Sequence, residues 1–383
     1  MRMSKSGGTG TSTGMGKSMD TRTDTRTGAR MGARTGGRKG LALALVLALT
    51  LGVFTLAACG GSGSGSGTGA GAGAGAGAAA GGGGTLRAAA IFGGAINDGN
   101  WNETQYNGLK NLESLGYEIK YMENQGDTDA AQAARDYANE GFDLVYLTTN
   151  SYQDHCTPVA ERFPDTMFVQ INGTYLADNF ISVRIADEQQ GFLQGAIAAL
   201  LTKSGNVGFV GGQEINPIKL GSAGFQQGVD YINKTYGLSV TAHRINTGNF
   251  TDVNQAKETA ISLIEAGCDV VTPMANDASV GVMEAAEEKG AMAIGCGLGQ
   301  EAAAPTTTQV IVVKDVAVAY DATGALFAEG ELKRPDAVET FGANYDVVYI
   351  TDWFTAADAE VEARVNETLE RLRAGEIEIS AAL

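Results

Sequence analysis

From residue 86 onward the chain alternates short apolar runs with longer amphipathic segments, joined by links of only a few residues. The apolar runs at 87–92, 117–123, 143–148, 167–171, 206–210, 238–245, 270–273 and 292–295 read as strands. Between them, 102–115, 128–139, 152–162, 187–202, 218–235, 252–266 and 278–289 carry apolar residues at helical spacing. Thr128 and Asp252 read as helix N-caps. Gly116, Gly141, Gly237, Gly267 and Gly290 stand where a helix ends in a left-handed residue. Strict strand–helix alternation with short links predicts parallel, doubly wound α/β sheets.

The number of strands predicts two such sheets. Those up to residue 171 make one, and those from 206 to 295 make another. A further strand (309–313), a helix (315–329), short strands near Thr340 and at 347–350, and a last helix (356–374) are too few for a third domain. The chain is therefore expected to cross back. Residues 86–184 and about 300–335 would form lobe 1, with about 185–299 and 336–383 forming lobe 2. Two hinged lobes of this class bind ligands at the strand C-termini that face the cleft.

The first 85 residues follow a different logic. Residues 1–58 hold nine Lys/Arg and two Asp, a charge of +7; the whole chain carries −17, so the remainder carries −24. A basic stretch ends at Arg38-Lys39, an apolar segment runs from Leu41 to Ala58, and Leu56-Ala57-Ala58-Cys59 closes it. This order is that of a secretory signal, and a cysteine at the first mature position resembles the bacterial lipoprotein signal. Residues 1–58 are thus expected to be a lipoprotein signal peptide with Cys59 diacylated; the alternative is an uncleaved anchor, for which 18 apolar residues are barely long enough to span. Two acyl chains, each CH₂ contributing about 0.8 kcal/mol, would hold the protein on the outer face of the cell membrane. Residues 59–85 are Gly, Ser and Ala almost throughout, a flexible tether spanning on the order of 25–30 Å. The body beyond it is too acidic to favour nucleic acid.

Signals for catalysis are sparse. From residue 86 on there is no GxSxG, HExxH, phosphate-binding P-loop or GxGxxG motif. His155 and His243 are the only histidines, and both read as surface residues. Cys156, Cys268 and Cys296 show no CxxC spacing, so no zinc site is expected; one disulfide stays open, with buried free thiols favoured. No cofactor, metal or catalytic residue is expected.

Signals for binding instead recur at strand ends. After the first strand comes Gly93-Gly94-Ala95-Ile96-Asn97-Asp98, then Trp101 and Asn102: an acceptor, an aromatic face and an amide beside a helix N-terminus. Thr148-Thr149-Asn150-Ser151-Tyr152 follows the third strand and Asn172-Gly173 the fourth. Gly211-Gly212-Gln213-Glu214 and Ala275-Asn276-Asp277 follow two strands of the second set. Each taken singly is ordinary turn chemistry; repeated at successive strand ends, they make a polar cleft.

The stretch from Ile96 through Trp101-Asn102 to Lys110 resembles the opening motif of the basic membrane protein family. These are lipid-anchored solute receptors of ABC transporters and include a purine nucleoside receptor. The likeness continues at Phe192-Leu193-Gln194-Gly195, Val207 to Gly212, Phe225 to Val229, Gly281 to Ala286 and Val312-Val313-Lys314, covering about residues 86–350. It implies the type I periplasmic-binding-protein fold. It also implies base contacts from Asp98 and Asn102, stacking by Trp101, and a lysine at Lys314 that reaches the ligand's hydroxyl region. It departs at Gly297-Leu298-Gly299, where the family carries a ribose-binding acidic segment, and its second stacking aromatic falls at Leu220 or Gly221. Asp277 is a candidate replacement carboxylate. The implied function is capture of a nucleoside or nucleobase for delivery to an ABC permease and its ATPase. A sugar or flavin-like vitamin as ligand, and a ligand-presenting sensor as role, stay open.

Overall fold

The computed structural model describes residues 84–98 and 101–381; the expected signal peptide, Cys59 and nearly all of the tether lie outside them. Two six-stranded sheets form the body. In the first, β1 (Arg87–Ile91), β2 (Glu118–Met122), β3 (Leu144–Leu147), β4 (Met167–Ile171), β5 (Phe180–Ile185) and β11 (Glu339–Phe341) lie in the order β11-β5-β4-β3-β1-β2. In the second, β6 (Asn206–Gly211), β7 (Thr241–Asn246), β8 (Val270–Met274), β9 (Met292–Gly295), β10 (Thr308–Lys314) and β12 (Val348–Ile350) lie in the order β12-β10-β9-β8-β6-β7. Every pairing is parallel except that of β10 with the edge strand β12. Such sheets need helices on both faces.

The first sheet carries α1 (Trp101–Ser114) and α8 (Ala317–Ala328) on one face, and α2 (Asp127–Asn139) and α3 (Gln153–Ala160) on the other. The second carries α4 (Asp187–Leu201) and α5 (Asn216–Tyr236) on one face, and α6 (Val253–Glu265) and α7 (Ser279–Lys289) on the other; α9 (Ala359–Arg373) packs on α4. One core cluster runs through both lobes, from Phe92 and Leu109 to Phe209, Phe225 and Leu369. The α4–α5 contact is unusually close because glycines line it. A Cβ on Gly191 would stand 1.9 Å from the Gly221 carbonyl oxygen, and one on Gly195 2.1 Å from that of Phe225.

Several local expectations match. Asp252 accepts the Gln255 N–H as the cap of α6, and Gly116, Gly141, Gly237, Gly267 and Gly290 all have positive φ. Thr128 is not a cap: α2 begins one residue earlier, after Gly126. Strand β5 was not foreseen.

The crossings also differ. β10, expected in lobe 1, hydrogen-bonds to β9 in the second sheet, and β11, expected in lobe 2, pairs with β5 in the first. The chain thus changes lobe after β5, after β10 and between β11 and β12. These three links form the hinge.

Candidate functional site

A cavity of about 710 Å³ lies between the lobes, where the C-terminal ends of the strands converge. Its first wall is the loop after β1. A Cβ on Gly93 would stand 2.6 Å from Thr149 Oγ1, and one on Gly94 2.7 Å from Asn102 Nδ2. Glycine at both positions lets this loop close on its neighbours. Asp98 then receives the backbone N–H groups of Asn102 at 3.0 Å and Glu103 at 3.0 Å, and Asn102 Nδ2 at 2.8 Å. Its carboxylate satisfies the unpaired donors at the start of α1. Asn102 is buried, and its Oδ1 has no hydrogen-bond partner among the described residues.

Trp101 is fixed by its edge. Its Nε1 donates to the Thr148 carbonyl at 3.1 Å, and the buried Gln105 amide donates to the same oxygen at 3.3 Å. Tyr320 in turn donates to Gln105 Oε1 at 3.3 Å. The indole is therefore braced from the core of the first lobe while it lines the cavity.

The floor is a polar network at the hinge. Lys314, at the end of β10, pairs with Asp187 at 2.5 Å, and Asn172 donates to the other Asp187 oxygen at 3.2 Å. Asn172 has a φ of 56° and accepts the Ile185 N–H at 2.7 Å. Gln190 donates to the carbonyls of Cys296 and Val312 at 3.0 and 2.8 Å, tying α4 to the second sheet.

The second-lobe wall is more apolar, with Ile215, Pro217, Ile218, Phe250 and Met274 followed by Asn276 and Asp277. Burial, and then the nearby charge of Asp98, raise the Asp277 carboxyl above its ordinary value. Carboxylates from the two lobes thus act on each other across the cleft.

The cavity brings together Asp98, Trp101, Asn102, Asn150, Tyr152, Asn172, Asp277 and Lys314. Two expected residues fall outside its lining. Gly212 lies behind Phe250, where a Cβ would meet the ring at 2.3 Å. Glu214 is exposed, although its neighbours Gln213 and Ile215 line the cavity. Tyr152 is a brace as well as a wall: its buried hydroxyl donates to the Gln125 carbonyl at 2.5 Å, and burial pushes the phenol well above its ordinary range. Gly297 and Leu298 line a separate cavity of about 210 Å³, which shares Lys314 with the larger one.

Neither Leu220 nor Gly221 reaches the larger cavity; the aromatic facing it from the second lobe is Phe250, in the loop after β7. That strand end carries the same Gly, Asn and aromatic content as the others, and extending the strand-end reading to it would have found Phe250. Gln190 sits on the buried face of a helix and left no such signal.

Cys156, Cys268 and Cys296 are buried free thiols. The described residues contain no cluster of metal-ligating side chains and no helix long and apolar enough to cross a membrane.

The family model for PnrA-like ABC transporter substrate-binding proteins matches residues 85–381. A purine-binding protein of Brucella abortus (strain 2308) is 26% identical over 296 residues, 76% of this chain and 82% of that one. The transcriptional activator protein med of Bacillus subtilis (strain 168) is 28% identical over 285 residues, covering 73% and 86%. Among solved structures, a solute-binding protein of an ABC transporter system from Conexibacter woesei superposes with a TM-score of 0.66 at 22% identity, over 77% of this chain and 99% of that one.

Proposed function

This chain belongs to the PnrA-like family of ABC transporter substrate-binding proteins, and we propose that it captures a purine nucleoside or nucleobase between its lobes and hands it to a membrane permease. The family is one of solute-binding proteins, not of enzymes, and the relative named purine-binding supplies the ligand class. The observation that carries the reading is a braced indole, Trp101, lining the cavity between the lobes. A flat heterocycle entering the cavity can stack on it. The cavity volume of about 710 Å³ falls in the range of small-molecule sites, roughly 300–1,000 Å³.

In this reading no bond is made or broken. The ligand bridges the lobes and stabilises the closed form, which the permease recognises. Asp98, Asn102 and Trp101 hold one side of the ring while Phe250 and Asp277 meet it from the other lobe. Cys59 carries the lipid that keeps the protein at the outer face of the membrane. The relative named a transcriptional activator suggests a regulatory role, but a body of net charge −24 (−17 overall, +7 in residues 1–58) opposes direct contact with DNA.

A thermal-shift panel of nucleosides, bases, sugars and vitamins tests the ligand class. At 100 times its dissociation constant a specific ligand stabilises the protein by about 2.7 kcal/mol. Purines are expected to give the largest shift; a sugar or vitamin giving the largest shift would displace them.

A further inference from the structure

Four consecutive side chains at the start of α4 each grip a different part of the hinge. Successive residues of a helix point about 100° apart, so one turn can reach in every direction. Asp187 pairs with Lys314, the residue that ends β10. Glu188 holds Arg184 of β5 by two bonds of 2.8 Å, and Arg184 Nε reaches Thr340 of β11 at 3.2 Å. Gln189 Oε1 accepts the Ala343 N–H at 2.7 Å, in the link from β11 to β12, 154 positions away. Gln190 donates to the carbonyls of Cys296 and Val312 in the second lobe. The links also bond to one another: the Ala186 N–H donates to the Phe341 carbonyl at 2.9 Å, and the Asp315 N–H to that of Val347 at 2.7 Å. Gly342 completes the fit, since a Cβ there would stand 2.4 Å from Gln189 Oε1. Neither Glu188 nor Gln189 lines the cavity between the lobes.

We propose that this single turn fixes the angle between the lobes, and that Gln189 is a positioning residue that tunes ligand affinity from outside the cleft. The effect on affinity rests on the cleft being the ligand site; the control of the angle does not. Ala343 is 1% exposed, so without the glutamine oxygen its N–H is buried and unpaired at this lobe angle. Swinging the lobes apart lets water reach the link and pair that N–H, so loss of the acceptor favours the open form. The affinity of a protein that must be closed to hold its ligand falls in proportion to the closed fraction.

The lobe angle is read without any ligand, by the distance between two spin labels. In a Cys59→Ala background the remaining native cysteines are buried, so labels go on Gln132→Cys and Glu258→Cys, both at exposed positions. These lie on α2 and α6, beside β2 and β7, the sheet edges opposite the hinge-side strands β11 and β12. Opening therefore separates them. Gln189→Met keeps the side-chain volume but not the acceptor, and is expected to shift the distance distribution to longer values. Gln189→Glu restores an acceptor oxygen and is expected to return the distribution to that of the parent. Gln226→Met, whose glutamine bonds Asp230 on its own helix, is expected to leave it unchanged. An unchanged distribution in Gln189→Met, or an equal shift in Gln189→Glu, would overturn the proposal.

Calorimetric titration of the intact protein with adenosine reads the consequence. Gln189→Met is expected to raise the dissociation constant about twofold to tenfold, and Gln189→Glu to restore it. Equal affinities in the parent and Gln189→Met, with the distance distribution shifted, would overturn the positioning role and leave the purine reading standing. Binding of adenosine by neither protein, with the distribution shifted in Gln189→Met and restored in Gln189→Glu, would remove the purine reading and support the control of the lobe angle by this turn.

Discussion

The ammonium of Lys314 lies 5.0 Å from the centre of the Trp101 ring, joining the last residue of a second-lobe strand to the first residue of a first-lobe helix. The same ammonium pairs with Asp187, at the point where the chain first crosses between lobes. Ring, hinge and cleft floor are therefore one connected unit.

Replacing Trp101 with Ala removes the stacking surface but leaves Gln105 bonded to Thr148. A base stacked on an aromatic contributes about 1–3 kcal/mol, so nucleoside affinity is expected to fall about tenfold to a hundredfold with far-UV circular dichroism unchanged. Titration calorimetry reads the first and dichroism the second.

Lys314→Met leaves Asp187 charged and 1% exposed without its partner. Breaking one side of a buried pair costs about 3–5 kcal/mol. The urea midpoint is expected to drop sharply, and adding Asp187→Asn is expected to recover much of the loss. A double variant as unstable as the two single losses combined would show that the residues act independently.

The α4–α5 interface predicts intolerance to a single methyl group. Gly195→Ala places a Cβ about where the Phe225 carbonyl now lies, 2.1 Å away, so the helices must separate along their length. Overpacking of this kind costs about 1–3 kcal/mol or more, readable as a lower urea midpoint. Gly84→Ala, where no atom lies within 4 Å, is expected to be neutral.

Asp277 predicts a pH effect of definite sign. Its carboxyl is raised by burial and by Asp98, so the folded protein holds this proton at pH values where the unfolded chain has released it. Stability from this group is then lost as pH rises through the range just above ordinary carboxylate values. Asp277→Asn is expected to be more stable than the parent at pH 7.5, and the difference to vanish on acidification below that range. A difference that grows on acidification would reverse the sign and contradict the placement.

Cys59→Ala is expected to move the protein from the membrane to the soluble fraction, because the two-chain anchor can no longer form. Fractionation followed by immunoblotting checks this.

Most of the fold was legible because local chemistry repeats. The five helix-ending glycines need left-handed backbone and could be read one by one. Strand β5 escaped because only a loop separates it from β4, so the strand–helix rhythm skipped it; its residues are buried almost throughout and show no alternation. The lobe of β10 was illegible for a related reason. All seven of its residues are buried, which fits the interior of either sheet, and only pairing with β9 decides.

In the site, strand-end position located Trp101, Asn102, Asn172 and Asp277, but it could not separate wall from support. Asp98 and Tyr152 are both, and Lys314 is engaged by Asp187, a partner 127 positions away that no local pattern announces.

Titrating adenosine into the intact protein and into its Trp101→Ala variant by calorimetry asks whether the ligand stacks on this indole. With the ligand stacked on Trp101, the parent shows one saturable site and the variant a dissociation constant raised about tenfold or more. Binding of equal strength in both would place the ligand away from Trp101 and contradict the stacking.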